Sequence, residues 1–187
     1  MAIQKTAIRL IDTIMYASAS TPDTKSLFVN STKPTQYQNA NWQDISAQRN
    51  VQIAGMRVSH NMVFTMSSSE PLKSRQMYFE NFSQFKWTIK DTEYSTYSLA
   101  NTLPYKLNYV LGDIVAIYDT YPIFAFQEPI SIPSTGNIKL EFIPASGLTL
   151  AADGDTNPLL PGAGLTSNRG FYITVELFGI QEREIGE

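Results

Sequence analysis

The chain has 187 residues, 43% of them hydrophobic and 17% charged, the size of one domain or two very small ones and enough to bury a core without metal or disulfide staples. It has no cysteine, which excludes thiol nucleophiles, cysteine-ligated zinc and iron–sulfur clusters. Its 14 Lys and Arg against 17 Asp and Glu leave a net charge of −3, too even a balance for a domain that coats nucleic acid. Ser, Thr, Asn and Gln number 55 against 31 charged residues, and ten Phe, ten Tyr, ten Gly and ten Pro accompany them. That mixture suits strands and turns, so an all-β fold is expected.

In chain order, the first seventeen residues predict an amphipathic helix. On a helical wheel Ile3, Ala7, Leu10, Ile11 and Ile14 fall on one side, while Lys5, Arg9, Asp12 and Thr13 fall opposite. The stretch is too short and too charged to span a bilayer, and Arg9 and Asp12 interrupt any signal-peptide apolar region. Such a helix folds back on its own domain or, as an arm over residues 1–20, docks on a neighbouring subunit through Ile3, Leu10 and Ile14.

Residues 21–49 read as a second, loop-rich arm. A turn-rich run Ser18–Thr24 leads to a short strand at Ser26–Asn30, and Ser31–Gln48, with Pro34, Asn39, Asn41 and Trp42, shows no period. From Asn50 the period becomes 2. Met56, Val58, His60, Met62, Phe64 and Met66 face one way, as one strand or as a hairpin turning at Ser59–Asn61. Phe85, Trp87 and Ile89 alternate with Gln84, Lys86, Thr88 and Lys90, and Lys90-Asp91-Thr92 predicts a hairpin turn into a strand carrying Tyr94 and Tyr97. Further strands are expected at Asp113–Tyr118, Ile123–Phe126, Ile130–Ile132, Ile138–Phe142 and Phe171–Gly179. Eight to ten short strands without βαβ alternation make residues 50–187 an antiparallel β-sandwich, with a jelly roll favoured over immunoglobulin-like Greek keys by the widely varying loop lengths.

Few residues carry chemistry. The single histidine, His60, has Val58, Met62 and Phe64 on its strand face and reads as a core histidine with one hydrogen-bond partner. Asp153, Asp155 and Asn157 stand at alternate positions, as in the opening of a calcium loop, but Pro158 replaces the glycine of an EF-hand turn and Gly164 its bidentate glutamate. No cofactor is expected, and a looser calcium loop is the alternative to a solvated turn. Leu159 and Leu160 follow in a Pro- and Gly-rich loop that suits partner contact. Glu80, Asp91, Glu93, Glu128, Glu141 and Glu176 are candidate acids for a hydrolase, and nothing in the sequence selects a pair. Tyr94, Tyr97, Tyr105, Tyr109, Tyr118 and Tyr121, with Trp42 or Trp87, suit either sugar stacking or packing between subunits.

The runs Gly136-Asn137-Ile138-Lys139-Leu140-Glu141-Phe142-Ile143-Pro144-Ala145-Ser146-Gly147-Leu148-Thr149 and Phe171-Tyr172-Ile173-Thr174-Val175-Glu176-Leu177-Phe178-Gly179-Ile180 resemble strand-turn-strand segments of bacteriophage virion structural proteins, notably small jelly-roll capsid components. The likeness covers about a quarter of the chain and contains no invariant motif. It implies a non-enzymatic building block located in the virion, assembled as a pentamer or trimer of itself with other virion proteins. The rival expectations are a carbohydrate- or receptor-binding module such as a spike, and a two-carboxylate hydrolase.

Overall fold

A computed structural model of the chain describes residues 2–29, 33, 37–47, 50–65, 72–110, 113–118, 123–133, 137–152 and 171–185. In chain order the elements are β1 (Ala2–Tyr16), β2 (Lys25–Leu27), α1 (Trp42–Ala47), β3 (Val51–His60), α2 (Leu72–Phe82), β4 (Gln84–Ile89) and β5 (Thr92–Ser98). They continue with α3 (Leu99–Thr102), β6 (Tyr105–Val110), β7 (Asp113–Tyr118), β8 (Phe124–Ile132), β9 (Ile138–Ile143) and β10 (Phe171–Ile185). The fold is all-β. One four-stranded sheet runs β1-β10-β3-β8, a second runs β2-β9-β4-β5, and β6 and β7 form a separate hairpin. Every strand pair is antiparallel. No helix among the described residues is long and apolar enough to cross a membrane.

The core lies between the two sheets. β10 contributes Phe171, Ile173, Val175 and Leu177, the alternation expected from its sequence, and β9 and β4 answer with Leu140, Phe142, Phe85 and Trp87. The open side between β5 and β8 is closed by rings: Tyr97 stacks on Phe126 at 5.0 Å and meets Phe124 edge-on at 5.2 Å. Opposite them, Trp42 from α1 sits 5.1 Å from Phe28 and 5.8 Å from Trp87. Both tryptophans are therefore core residues and are removed from any sugar-stacking surface.

β3 buries Val51 and Ile53 in its first half and Met56 and Val58 in its second, which a flat strand of period 2 cannot do. A bulge resolves the parity. The register to β10 shifts between Phe178 and Gly179, and that to β8 between Ile53 and Gly55. The strands close so tightly there that a Cβ on Gly179 would lie 2.1 Å from Gln52 O, and one on Gly55 2.7 Å from Phe124 O. On β8 the same irregularity takes up Pro129, which an edge strand tolerates. The expected segments Ile123–Phe126 and Ile130–Ile132 are thus parts of one strand. The β4–β5 hairpin turns where expected, with Lys90 at φ 51° and Asp91 at φ 62°, the left-handed pair that a two-residue turn requires.

The N-terminal helix is a correction. Residues 2–16 form a strand that pairs with β10 without a break in register, from Ala2 opposite Ile185 to Tyr16 opposite Phe171. The inward positions are Leu10, Asp12, Ile14 and Tyr16. An acid at the second of them masks the period of 2, while Ile3 and Ile11 on the other face imitate a helical stripe. β1 and β2 are parts of the two sheets, so the segments 1–20 and 21–49 are not arms appended to a separate body. Helix α1 replaces part of the expected loop Ser31–Gln48, and α2 is a helix that no period in the sequence announces. In α2 the amphipathic pattern is broken, since Glu80 is buried beside Phe79 and the Phe82 ring is exposed.

Candidate functional site

β1 is an edge strand, and Phe28, Lys33 and Asn39 hold its middle. Asp12 is wholly buried; its Oδ2 accepts the backbone N–H of Phe28 at 2.5 Å and its Oδ1 accepts from Lys33 Nζ at 2.6 Å. Beside it, the Asn39 side chain takes the place of a neighbouring strand. Asn39 Oδ1 accepts from Ile11 N at 2.7 Å, Asn39 Nδ2 donates to Arg9 O at 2.9 Å, and Asn39 N donates to Ile11 O at 3.1 Å. Tyr16, farther along the strand, donates to Asp23 O at 2.8 Å, and burial followed by the Asp23 charge pushes its hydroxyl above the ordinary tyrosine range.

A second polar centre lies where β3, α2 and β6 meet. Glu80 Oε1 accepts from Gln76 Nε2 at 3.0 Å and from Tyr105 OH at 3.0 Å, and lies 3.2 Å from His60 Nε2. The backbone N–H of Met62 donates to His60 Nδ1 at 3.2 Å. An accepting Nδ1 leaves the hydrogen on Nε2, directed at Glu80. The side chains of His60 and Glu80 are each only 2% exposed, so the centre is sealed from any substrate and locks the helix to the sheet. His60 is the core histidine its strand neighbours predict, but beside Glu80 and the Met62 N–H it also has Tyr105 OH 3.5 Å from Nε2, more than the one partner expected.

On the outer face of the first sheet, Glu176 Oε2 accepts from Arg9 Nε at 3.0 Å and from Arg57 Nη2 at 2.7 Å. Burial pushes this carboxyl up, but the two guanidinium hydrogen bonds and charges outweigh it and hold it below the ordinary carboxylate range. The other candidate acids are not paired with one another: Glu93 meets Lys86, Glu141 meets Lys139, Asp91 accepts from Asn137, and Glu128 is exposed. Among the described residues no group of three His, Asp or Glu side chains is placed to hold a metal ion.

Two of the clefts among the described residues are open to the surface. One, of about 380 Å³, lies between the β1 and β2 edges, is lined largely by apolar groups of Ile14, Met15, Val29 and Tyr37, and has Lys25 and Lys33 at its walls. The other, of about 320 Å³, is lined by Ser74, Arg75 and Tyr78 of α2 and by Ser146, Gly147 and Leu148 after β9. The Tyr78 ring is braced by Phe82 at 4.8 Å, and Phe82 is 62% exposed. This aromatic pair, four residues apart on one helix face, is invisible as a site until α2 is known to be a helix.

Of the interface residues expected from the sequence, Ile3 is 63% exposed, while Leu10 and Ile14 are buried in the chain's own core and closed to a neighbour. Asp153, Asp155, Asn157, Leu159 and Leu160 lie outside the described residues, as does Tyr121. Tyr94 is exposed, Tyr97 packs against β8 and Tyr105 bonds Glu80, so these three tyrosines form no common platform. Comparison of the chain with protein-family models, with curated proteins and with solved structures finds no match.

Proposed function

We propose that the chain is a structural subunit of a virus particle, a phage capsid, vertex or minor capsid protein that assembles with copies of itself and with other virion proteins, and that its sandwich is a jelly roll. The observation that carries this reading is the nesting of strand pairs. β1 pairs with β10, β2 with β9, β3 with β8 and β4 with β5. First meets last and second meets second-last, as in one long antiparallel ribbon rolled into two sheets, with β6–β7 inserted between β5 and β8. Eight strands wound in this way are a recurrent solution for capsid and lectin domains, and the step from fold to function is one of analogy. The surface rich in amides and hydroxyls, and the balanced charge, fit a subunit whose flanks face other protein. Mass spectrometry of purified particles from the source virus tests the reading: the chain is expected in stoichiometric amount, and its absence from intact particles overturns the assignment.

The cleft beside Tyr78 favours a second reading, a receptor-binding module for carbohydrate. A braced aromatic ring beside the Ser74 and Ser146 hydroxyls and the Arg75 guanidinium suits the apolar face and the hydroxyls of a pyranose. A glycan array with wild-type chain and Tyr78→Ala tests it. Binding lost in a variant that keeps its melting temperature supports this reading, and no binding by the wild type removes it.

A further inference from the structure

The cleft between the β1 and β2 edges combines an apolar lining with charge of one sign. Ile14 belongs to the core at 4% exposure, whereas Met15 and Val29, at 54% and 40%, are large apolar side chains left open to water. Lys25 and Lys33 also line it, and among the described residues no carboxylate does. At about 380 Å³ the cleft falls in the size range of small-ligand sites, which join an apolar lining to a few polar anchors.

The two lysines are held differently. Lys33 Nζ lies 2.6 Å from Asp12, a wholly buried acid that would lose its ion pair if this ammonium moved, so Lys33 stays in place. Lys25 Nζ meets Asp23 at 2.9 Å, but these side chains are 40% and 64% exposed. An ion pair so open to water contributes little, and exchanging Asp23 for another anion costs little. Tyr16, fixed by its bond to Asp23 O, also carries the Lys25 ammonium 5.7 Å from its ring centre, a contact that does not depend on the Asp23 carboxylate.

We infer that this cleft binds a small amphiphile with one anionic head and an aliphatic tail, the head on Lys25 and the tail along Ile14, Met15 and Val29. The lining sets the class. Cations without a lining carboxylate select an anionic head over an ammonium. Aliphatic walls suit a hydrocarbon tail better than a sugar, whose hydroxyls would lose their hydrogen bonds against them. Thr13 offers a sugar no free hydroxyl, since its Oγ1 is 3.0 Å from Thr174 Oγ1. The site shares no residue with the Tyr78 cleft and does not depend on the virion reading.

An NMR titration of the full chain with decanoate, decyl phosphate, decanol and decylammonium, each below its micelle concentration, tests it. Decanoate or decyl phosphate should saturate with a Kd below about 1 mM and shift the amides of residues 13–15, 25, 26 and 29, and the tighter of the two names the head group. Decylammonium should bind about tenfold more weakly or worse. Lys25→Gln should weaken the anionic probes by about tenfold and leave decanol unchanged, the signature of a lost charge rather than a lost cleft. Val29→Glu sets a carboxylate in the wall and should abolish anionic binding. Both variants replace exposed side chains, so the melting temperature should hold. Four results overturn the inference: neither anionic probe saturating below about 1 mM, decylammonium binding as tightly, shifts confined to other residues, or an anionic affinity unchanged in either variant.

Discussion

Asp12 and Phe28 are joined by a 2.5 Å hydrogen bond in which a buried carboxylate on β1 accepts the backbone N–H of a residue held at φ 55°. The bond ties the first sheet to the segment that follows β2, and Lys33 completes it from the other oxygen. Asp12→Asn keeps the shape but puts an amide where two donors converge. We expect a loss of about 2 kcal/mol in urea unfolding, the cost of leaving a buried donor without its acceptor. Lys33→Met should cost less, because Lys33 is partly exposed. A double-mutant cycle between the two positions measures their coupling.

Truncation separates the two halves of β1. Removing residues 1–6 takes away side chains that, from Ile3 to Thr6, are exposed, and the melting temperature should stay within about 5 °C of the full chain. Removing residues 1–20 also deletes Leu10, Ile14 and Tyr16 from the core, at roughly 1.5–3 kcal/mol for each large apolar side chain. That loss is comparable with the whole stability of a domain. The longer truncation should therefore lose cooperative unfolding in calorimetry, where an appended arm would have left it intact.

The bulge shared by β3, β8 and β10 has no room for a side chain at Gly179, where a Cβ would meet the Gln52 backbone carbonyl. Gly179→Ala should destabilise the chain by about 2–3 kcal/mol, as overpacking against immovable backbone does. Gly147, at φ 78° but with nothing within 4 Å of its Cβ position, makes a useful contrast. Its alanine variant carries only local backbone strain, of order 1 kcal/mol.

Glu176 sets an acid limit. Its carboxyl is held below the ordinary range in the folded chain, so its contribution is complete above the unfolded-state value and is lost as pH falls through the lowered one. Glu176→Gln should lower the melting temperature at neutral pH and narrow the gap to wild type on acidification below about pH 4. Salt should shrink the effect at neutral pH, since Arg9 is exposed. A gap that widens toward acid would contradict this arrangement.

Much of the second sheet and of β10 was legible because their inward positions are uninterrupted. Phe85 and Trp87, Leu140 and Phe142, and Phe171 to Leu177 alternate with polar residues, and the Lys90–Asp91 turn stands between two such runs. The helix α2 was not legible. Its buried face includes Glu80, which becomes tolerable only when Tyr105 of β6 and His60 of β3 are brought to it beside Gln76 of its own helix. The same holds for the candidate sites: His60 could be read as a core residue from its neighbours, whereas Tyr78 and Phe82 became a surface pair only once a helix set them one turn apart.

By itself the sequence determined the all-β class, the absence of cysteine chemistry and the inward faces of the strands with clean alternation, because these follow from composition and period. The tertiary structure decided that residues 2–16 are a strand rather than a helix. It also decided how the strands nest and which side chains hold the edge of β1. Each of these turns on partners remote in the chain: β10 to pair with β1, Phe28 and Lys33 to satisfy Asp12, and Asn39 to bond Arg9 and Ile11 along the edge. A local period cannot report a hydrogen bond closed across more than a hundred and fifty residues, and that is the distance in sequence at which β1 acquires its structure.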